Sequence, residues 1–385
     1  MQQQKEMFSC KISIGKAAVT ELYPFWEKLE NSVKARSYSH SLIWNRAYLE
    51  NLADDGNRLV FCTIWNNKTL IALFPFEQAT VCAGKMTFRT LSLSQNFHYL
   101  LPDILVADGH ISRATIELAL RELKQCGIKW DVLFFPRVLA GSTAHRIMAK
   151  FRSPFCHRTG ADPCNTMPIQ DYERIHQSLA GIFRGTLKKA KNKLNRQPAV
   201  EFISVSTQPE IAEAFARFLE VEASGWKGNQ GENSAILLDH RLTGFYRDVM
   251  EGFAALGQAA INLLKVGDKV IAAQYTLGIN DTLYLLKIGY DQEFSKLSPG
   301  NLLLEWLMKR CQQEKKYTLI NFITSLAWQN SWNPVPVCCY NIFLCNTNRQ
   351  GLLLTALLYL KRIRGFFESL KSKEQPGQRE PNQTS

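Results

Sequence analysis

Apolar and polar positions follow two spacings along this chain, and the sharpest change from one to the other falls in Leu283–Arg310. Leu283, Tyr284, Leu285, Leu286 and Ile288 form a short apolar run broken only by Lys287, the pattern of a strand covered on both faces. Leu303, Leu304, Leu307 and Met308 then recur at helical spacing, with Lys309 and Arg310 toward the end, where positive charge is favoured. Between the two, Ser298-Pro299-Gly300 predicts a helix start: Ser298 as cap, Pro299 at the first helical position, and Gly300 leaving the backbone open to another group. Such a start offers backbone N–H groups to an anion such as a phosphate. The alternative is a plain βα unit with a well-capped helix.

The same spacings predict the remaining elements. Residues 10–14 alternate as a strand; Val19–Leu29 and Leu42–Leu52 are helical, with Trp26 and Trp44 as core residues. Arg58–Trp65 and Lys68–Phe76 are strands joined at the turn signal Asn66-Asn67, followed by a loop and strand region through Val106. Ser112–Cys126 and Ser142–Phe151 are helices flanking the strand Trp130–Phe135, and Ser142 is a candidate cap. Residues 155–168, with Gly160, Pro163 and Pro168, form an irregular connector, and Tyr172–Asn195 one basic helix. The strand Val200–Val205, helices Gln208–Ala223 and Asp239–Ala255, and strands Ala259–Val266 and Lys269–Leu277 across Gly267-Asp268 repeat the earlier order. Thr318–Phe322 is the final buried strand.

Composition narrows the partners. At 385 residues the chain predicts two domains, and 46% hydrophobic with 21% charged residues excludes pervasive disorder. A net charge of +12 favours an anionic partner: a nucleotide-like cofactor, RNA or a membrane surface. The ten cysteines are scattered, without CxxC pairs or histidines at zinc spacing, so reduced thiols in a cytosolic setting and no metal are expected. The N-terminus lacks an apolar core of signal-peptide length, and no run reaches membrane-spanning length. Gly351–Leu360 with its basic continuation Lys361–Phe367 predicts a helix packed on the protein's own body, with an anionic membrane surface as the second reading.

The segments Glu222–Gly231 (EASGWKGNQG), Phe245-Tyr246, Lys287–Asp291 (KIGYD) and Ser298-Pro299-Gly300 together resemble the CelD/BcsL-type acetyltransferases of the GNAT superfamily, which are related to Fem-type aminoacyltransferases. The motif match covers about 220 to 332, and a looser likeness in layout extends from Trp26 to Val106 and through the basic helix. The resemblance implies an α/β (α+β) fold of two GNAT-like halves, each a mixed, mainly antiparallel sheet flanked by helices. It also implies an acyl-CoA donor and an association with cellulose or other exopolysaccharide assembly. The expected division is 1–154 as the N-terminal half, 155–198 as connector and basic helix, 199–350 as the acyltransferase domain, and 351–385 as an apolar-basic helix and disordered tail.

By that resemblance Leu297, Ser298, Gly300 and Asn301 hold the CoA pyrophosphate, through Ser298 and the N–H groups of Gly300 and Asn301. Glu222 and Asp291 are candidate general bases for the attacking amine or hydroxyl, and Tyr290 a candidate acid for the leaving thiolate. Trp226, Lys227, Lys287 and Asn321 are candidate acceptor-binding residues; Glu222 could instead be a surface carboxylate or pair with Lys227, Tyr290 could be a core tyrosine, and Lys287 could pair with Asp291. Many relatives carry an aspartate where this chain has Asn321, which implies that catalysis does not use that position, that the acceptor differs, or that activity is lost.

The expected protein is a cytoplasmic acetyl-CoA- or other acyl-CoA-dependent N- or O-acyltransferase acting on a small-molecule or saccharide acceptor of the cell envelope. Peripheral membrane contact at the inner face through the C-terminal segment is a further expectation. A Fem-like aminoacyl-tRNA-dependent transferase and an inactive scaffold of a polysaccharide-synthesis complex are the alternatives. Nucleic acid ranks last, because no RNA-reading module accompanies the basic helix.

Overall fold

Two hairpins set the frame of the computed structural model, which describes residues 8–53, 58–83, 85–93, 98, 100–169, 171–225 and 234–374, with side chains to 361. Strands β1 (Phe8–Ile14), β2 (Leu59–Asn66), β3 (Thr69–Ala83) and β4 (Met86–Leu93) pair antiparallel in sequence order. The β2–β3 turn has Asn67 in the left-handed region at φ 54°, which asparagine tolerates. Helices α1 (Gly15–Thr20), α2 (Tyr23–Ser32) and α3 (Leu42–Asn51) lie between β1 and β2. The short β5 (Leu105–Val106) adds to β3, and α4 (Arg113–Gln125), β6 (Val132–Leu139), α5 (Thr143–Lys150) and β7 (Cys156–Pro168) complete the first series. Ser142 caps α5 as expected, accepting the His145 N–H at 3.3 Å.

The second series repeats that order. After α6 (Tyr172–Ser178) and α7 (Gly181–Leu194) come β8 (Val200–Val205), α8 (Glu210–Ser224), α9 (His240–Ala255), then β9 (Ala259–Val266), β10 (Lys269–Ile279) and β11 (Thr282–Tyr290). Next follow α10 (Pro299–Glu314), β12 (Leu319–Asn321), β13 (Val335–Cys345) and α11 (Arg349–Glu374). The single basic helix expected over Tyr172–Asn195 is two, because the chain is extended at Leu179 and Ala180.

All thirteen strands among the described residues form one mixed sheet, ordered β1-β2-β3-β4-β6-β13-β7-β12-β11-β10-β9-β8 with β5 beside β3. In each half a single parallel contact, β4 with β6 and β11 with β12, interrupts antiparallel pairing. The centre is an exchange. β7, from the first series, pairs with β12 of the second, and β13, from the second, pairs with β6 of the first; β7 and β13 then pair with each other. Residues 155–168 are therefore a central strand where a connector was expected, and β13 follows what the pattern gave as the final strand.

One face carries a core shared by both halves, with Trp26, Trp44 and Phe61 of the first clustered with Phe215, Phe245 and Tyr275 of the second. Helices α3 and α9 meet there because Gly244 and Gly252 leave no Cβ to strike Asn51 and Ile43. Trp44 packs edge-on against Phe245 at 5.0 Å, and Arg241 donates to the carbonyls of Asn51 and Leu52. On the opposite face the halves have separate cores, one under α4 and α5 and one under α7 and α10.

Candidate functional site

The site forms where β11 outruns its neighbour. β12 pairs only with Thr282, Leu283 and Tyr284, while β11 continues to Tyr290. Its edge beyond Tyr284 is thereby released from the β12 ladder. A register shift opposite Tyr275 and Thr276 makes Leu286 an extra residue. Such a bulge re-aims side chains. Lys287 accordingly turns to α9, with Nζ 5.4 Å from the Tyr246 ring centre, and Gly289 faces α8, whereas Ile288 and Tyr290 pack on the α10 side.

Gly289 is required by close approach: a Cβ there would lie 2.7 Å from the Glu222 Cα and 2.9 Å from its N. This contact seats Glu222, 2% exposed, over the freed part of β11, where Oε2 accepts the Ile236 N–H at 2.9 Å. The Tyr246 phenol beside it is pushed well above its ordinary pKa by burial and secondarily by the Glu222 charge, so it stays protonated. Its hydroxyl meets His98 Nδ1 at 3.0 Å, and Lys287 Nζ lies 3.5 Å from the same nitrogen. Lysine can only donate, and a protonated phenol donates readily, so both favour an imidazole with its proton on Nε2. A carboxylate, an ammonium, a phenol and an imidazole thus converge on β11.

The α10 start differs in detail from the expected cap. Ser298 is left-handed, at φ 48° and ψ 49°, and its side chain makes no capping bond. Its carbonyl accepts the N–H groups of Asn301 at 3.1 Å and Leu302 at 3.2 Å, so the Asn301 amide expected to face an anion is already engaged. The Asn301 side chain accepts from Trp332 Nε1 at 3.0 Å. The Gly300 N–H has no backbone partner among the described residues, as the second position of a helix dictates. A Cβ on Gly300 would meet only Tyr290 Cδ1, at 3.8 Å. Neither backbone nor packing demands glycine there, and the open volume suits a phosphate against the backbone. Leu297 is buried in the core under α10 and supports the turn from behind.

The remaining candidates separate. Asp291 holds the turn after β11: Oδ1 accepts the Glu293 N–H at 2.9 Å and Oδ2 pairs with Lys269 at 2.8 Å. Its expected partner, Lys287, lies elsewhere, on the α9 side, and both Asp291 oxygens are engaged at the turn. Tyr290 sits beside Gly300 on the α10 side, opposite Glu222 and Lys287. Asn321, 3% exposed, accepts the Ile323 N–H at 2.7 Å, so its amide oxygen shapes the turn after β12. Trp226 and Lys227 lie outside the described residues.

Helix α7 lies along α10. Phe183 packs edge-on against Trp332 at 5.2 Å, and Lys191 pairs with the buried Glu305 at 2.5 Å. Arg184, Lys188, Lys189 and Lys193 remain exposed on α7.

A mixed sheet with two repeated series, each with one splayed parallel pair, defines a tandem GNAT-like fold. Residues 182–327 match the acetyltransferase (GNAT) domain model. No curated protein matches the chain. Among solved structures it is similar to FemX, with 9% identity, TM-score 0.54 and coverage of 87% of this chain and 98% of that one. It is similar as well to the C-terminal domain of a putative lysylphosphatidylglycerol synthetase from Agrobacterium fabrum, with 11% identity, TM-score 0.51 and coverage of 87% and 96%. L-PGS from Bacillus licheniformis matches at 14% identity, TM-score 0.51 and coverage of 90% and 98%. At these identities the likeness is one of fold.

Proposed function

We propose that the protein is an acyl-CoA-dependent N- or O-acyltransferase, with acetyl-CoA as the first candidate donor. The observation that carries this reading is the meeting of the freed β11 edge with the open Gly300 start of α10, in a segment that matches an acetyltransferase domain. The pyrophosphate lies at the Gly300 N–H and Ser298, with the exposed cations of α7 adding attraction. The pantetheine arm follows β11 toward Lys287. The acceptor amine or hydroxyl attacks the thioester carbonyl and gives its proton to Glu222, the C–S bond breaks, and the CoA thiolate is released and reprotonated. Lys287, held by Tyr246 and His98, orients the acceptor. In the tandem fold this acceptor is a small molecule or a saccharide of the cell envelope or an exopolysaccharide, as the CelD/BcsL resemblance suggests.

Isothermal calorimetry with CoA tests the donor: wild type binds, and Gly300→Glu, which adds bulk and negative charge, does not. Glu222→Gln keeps an oxygen for the Ile236 N–H, so it should retain CoA binding and lose turnover about 10²-fold or more. Equal CoA binding by wild type and Gly300→Glu would refute the donor site. Displacement of CoA by aminoacyl-tRNA, with a steep salt dependence, would replace it with the Fem-like reading.

A further inference from the structure

Helix α11 has two apolar faces. The inner face packs on the body: Leu354 clusters with Phe88, Val132 and Cys345, and Gly351 leaves room for the Asn346 carbonyl that a Cβ would strike. The other face is exposed. Leu352, Leu353 and Leu360 are 47%, 40% and 55% exposed, and Ala356 is exposed between them. Positions 352, 353, 356 and 360 form one helical stripe over about two turns. A helix that only had to cover the sheet would carry polar residues there. At the seam, the Tyr359 hydroxyl donates to the Pro154 carbonyl at 3.2 Å, two residues from the exposed Arg152.

We propose that this face docks α11 flat on an anionic lipid bilayer. No helix among the described residues is long and apolar enough to cross a membrane, so the stripe can lie on a bilayer but not span it. Charge selects the occupant. The sequence from 361 to 374 holds Lys361, Arg362, Arg364, Lys371 and Lys373 against Glu368 and Glu374, with Ile363, Phe366, Phe367 and Leu370 continuing the apolar spacing. Two copies of a +12 chain repel each other, whereas anionic headgroups attract it. The leucines enter the headgroup boundary and the cations meet the phosphates.

Co-sedimentation of the full chain with phosphatidylcholine vesicles, with and without phosphatidylglycerol, tests this. Wild type should bind the anionic vesicles and release in high salt. A Leu353→Glu/Leu360→Glu variant should bind them at least about tenfold more weakly while keeping its circular dichroism and its affinity for CoA. Lys361→Glu/Arg362→Glu should weaken binding only to the anionic vesicles. Failure of wild type to bind, or equal binding by the leucine variant, would overturn the proposal. So would a wild-type dimer in sedimentation velocity that the leucine variant abolishes, since the face would then join two copies.

Discussion

Gly300→Ala should move stability and ligand affinity in opposite directions. The residue is helical, and an added Cβ meets only Tyr290 Cδ1 at an ordinary 3.8 Å, so the fold bears no steric cost. Replacing glycine by alanine in a helix gains at most about 1 kcal/mol, less in a first turn, for a rise in melting temperature of no more than about 2–4 °C. A phosphate lying against the Gly300 backbone, however, must retreat by about the width of a carbon atom. A tenfold loss of CoA affinity, equivalent to about 1.4 kcal/mol, is the minimum expected. Differential scanning fluorimetry without ligand reads the first quantity and calorimetry with CoA the second. A variant that melts higher and binds CoA as tightly as wild type would show that the open volume at Gly300 is not where the nucleotide lies.

Gly289→Ala is the opposite case: its Cβ would strike the Glu222 backbone at 2.7–2.9 Å, so a loss of about 1–3 kcal/mol is expected from chemical denaturation, and an unchanged midpoint would contradict the close approach. Although burial alone would raise the Glu305 pKa, Lys191, Tyr172 and Lys309 hold the carboxyl below its ordinary value. Its stabilisation is therefore complete above the usual glutamate range and is lost as pH falls through the lowered value. Between about pH 5 and pH 3 wild type should lose stability more steeply than Glu305→Gln, and parallel melting curves would count against this. His98→Ala should lower turnover while CoA affinity stays within about twofold, because Tyr246 and Lys287 lose a shared partner on the side of β11 opposite the Gly300 start of α10. Unaltered turnover would remove the first half of the chain from the chemistry.

The elements around the proposed donor site were legible because each follows a local rule. The apolar run of β11, the Pro299-Gly300 start and the α10 spacing are set within thirty residues of one another. The left-handed Ser298 was not legible, since no letter marks a serine whose carbonyl, not its hydroxyl, closes the first turn. β7 escaped because Gly160, Pro163 and Pro168 signal a break, while its partners β12 and β13 lie more than 150 residues away. His98 carries no motif at all. Only the packing of the first half against α9 brings it to Tyr246. Asp291 shows the converse: an isolated acid in a matched motif, whose work is to hold a turn.

The exchange of β7 and β13 also bears on how the chain comes to be made. While it emerges from the ribosome, β6 must keep one edge open until residue 345 has followed, and β7, arriving much earlier, is the wrong strand for that edge. A nascent chain halted near residue 170 would hold an incomplete sheet with ready donors for mispairing. The sheet thus interleaves the two halves, and a piece confined to residues 182–327 would lack β7 and leave β12 paired along one edge only, to β11.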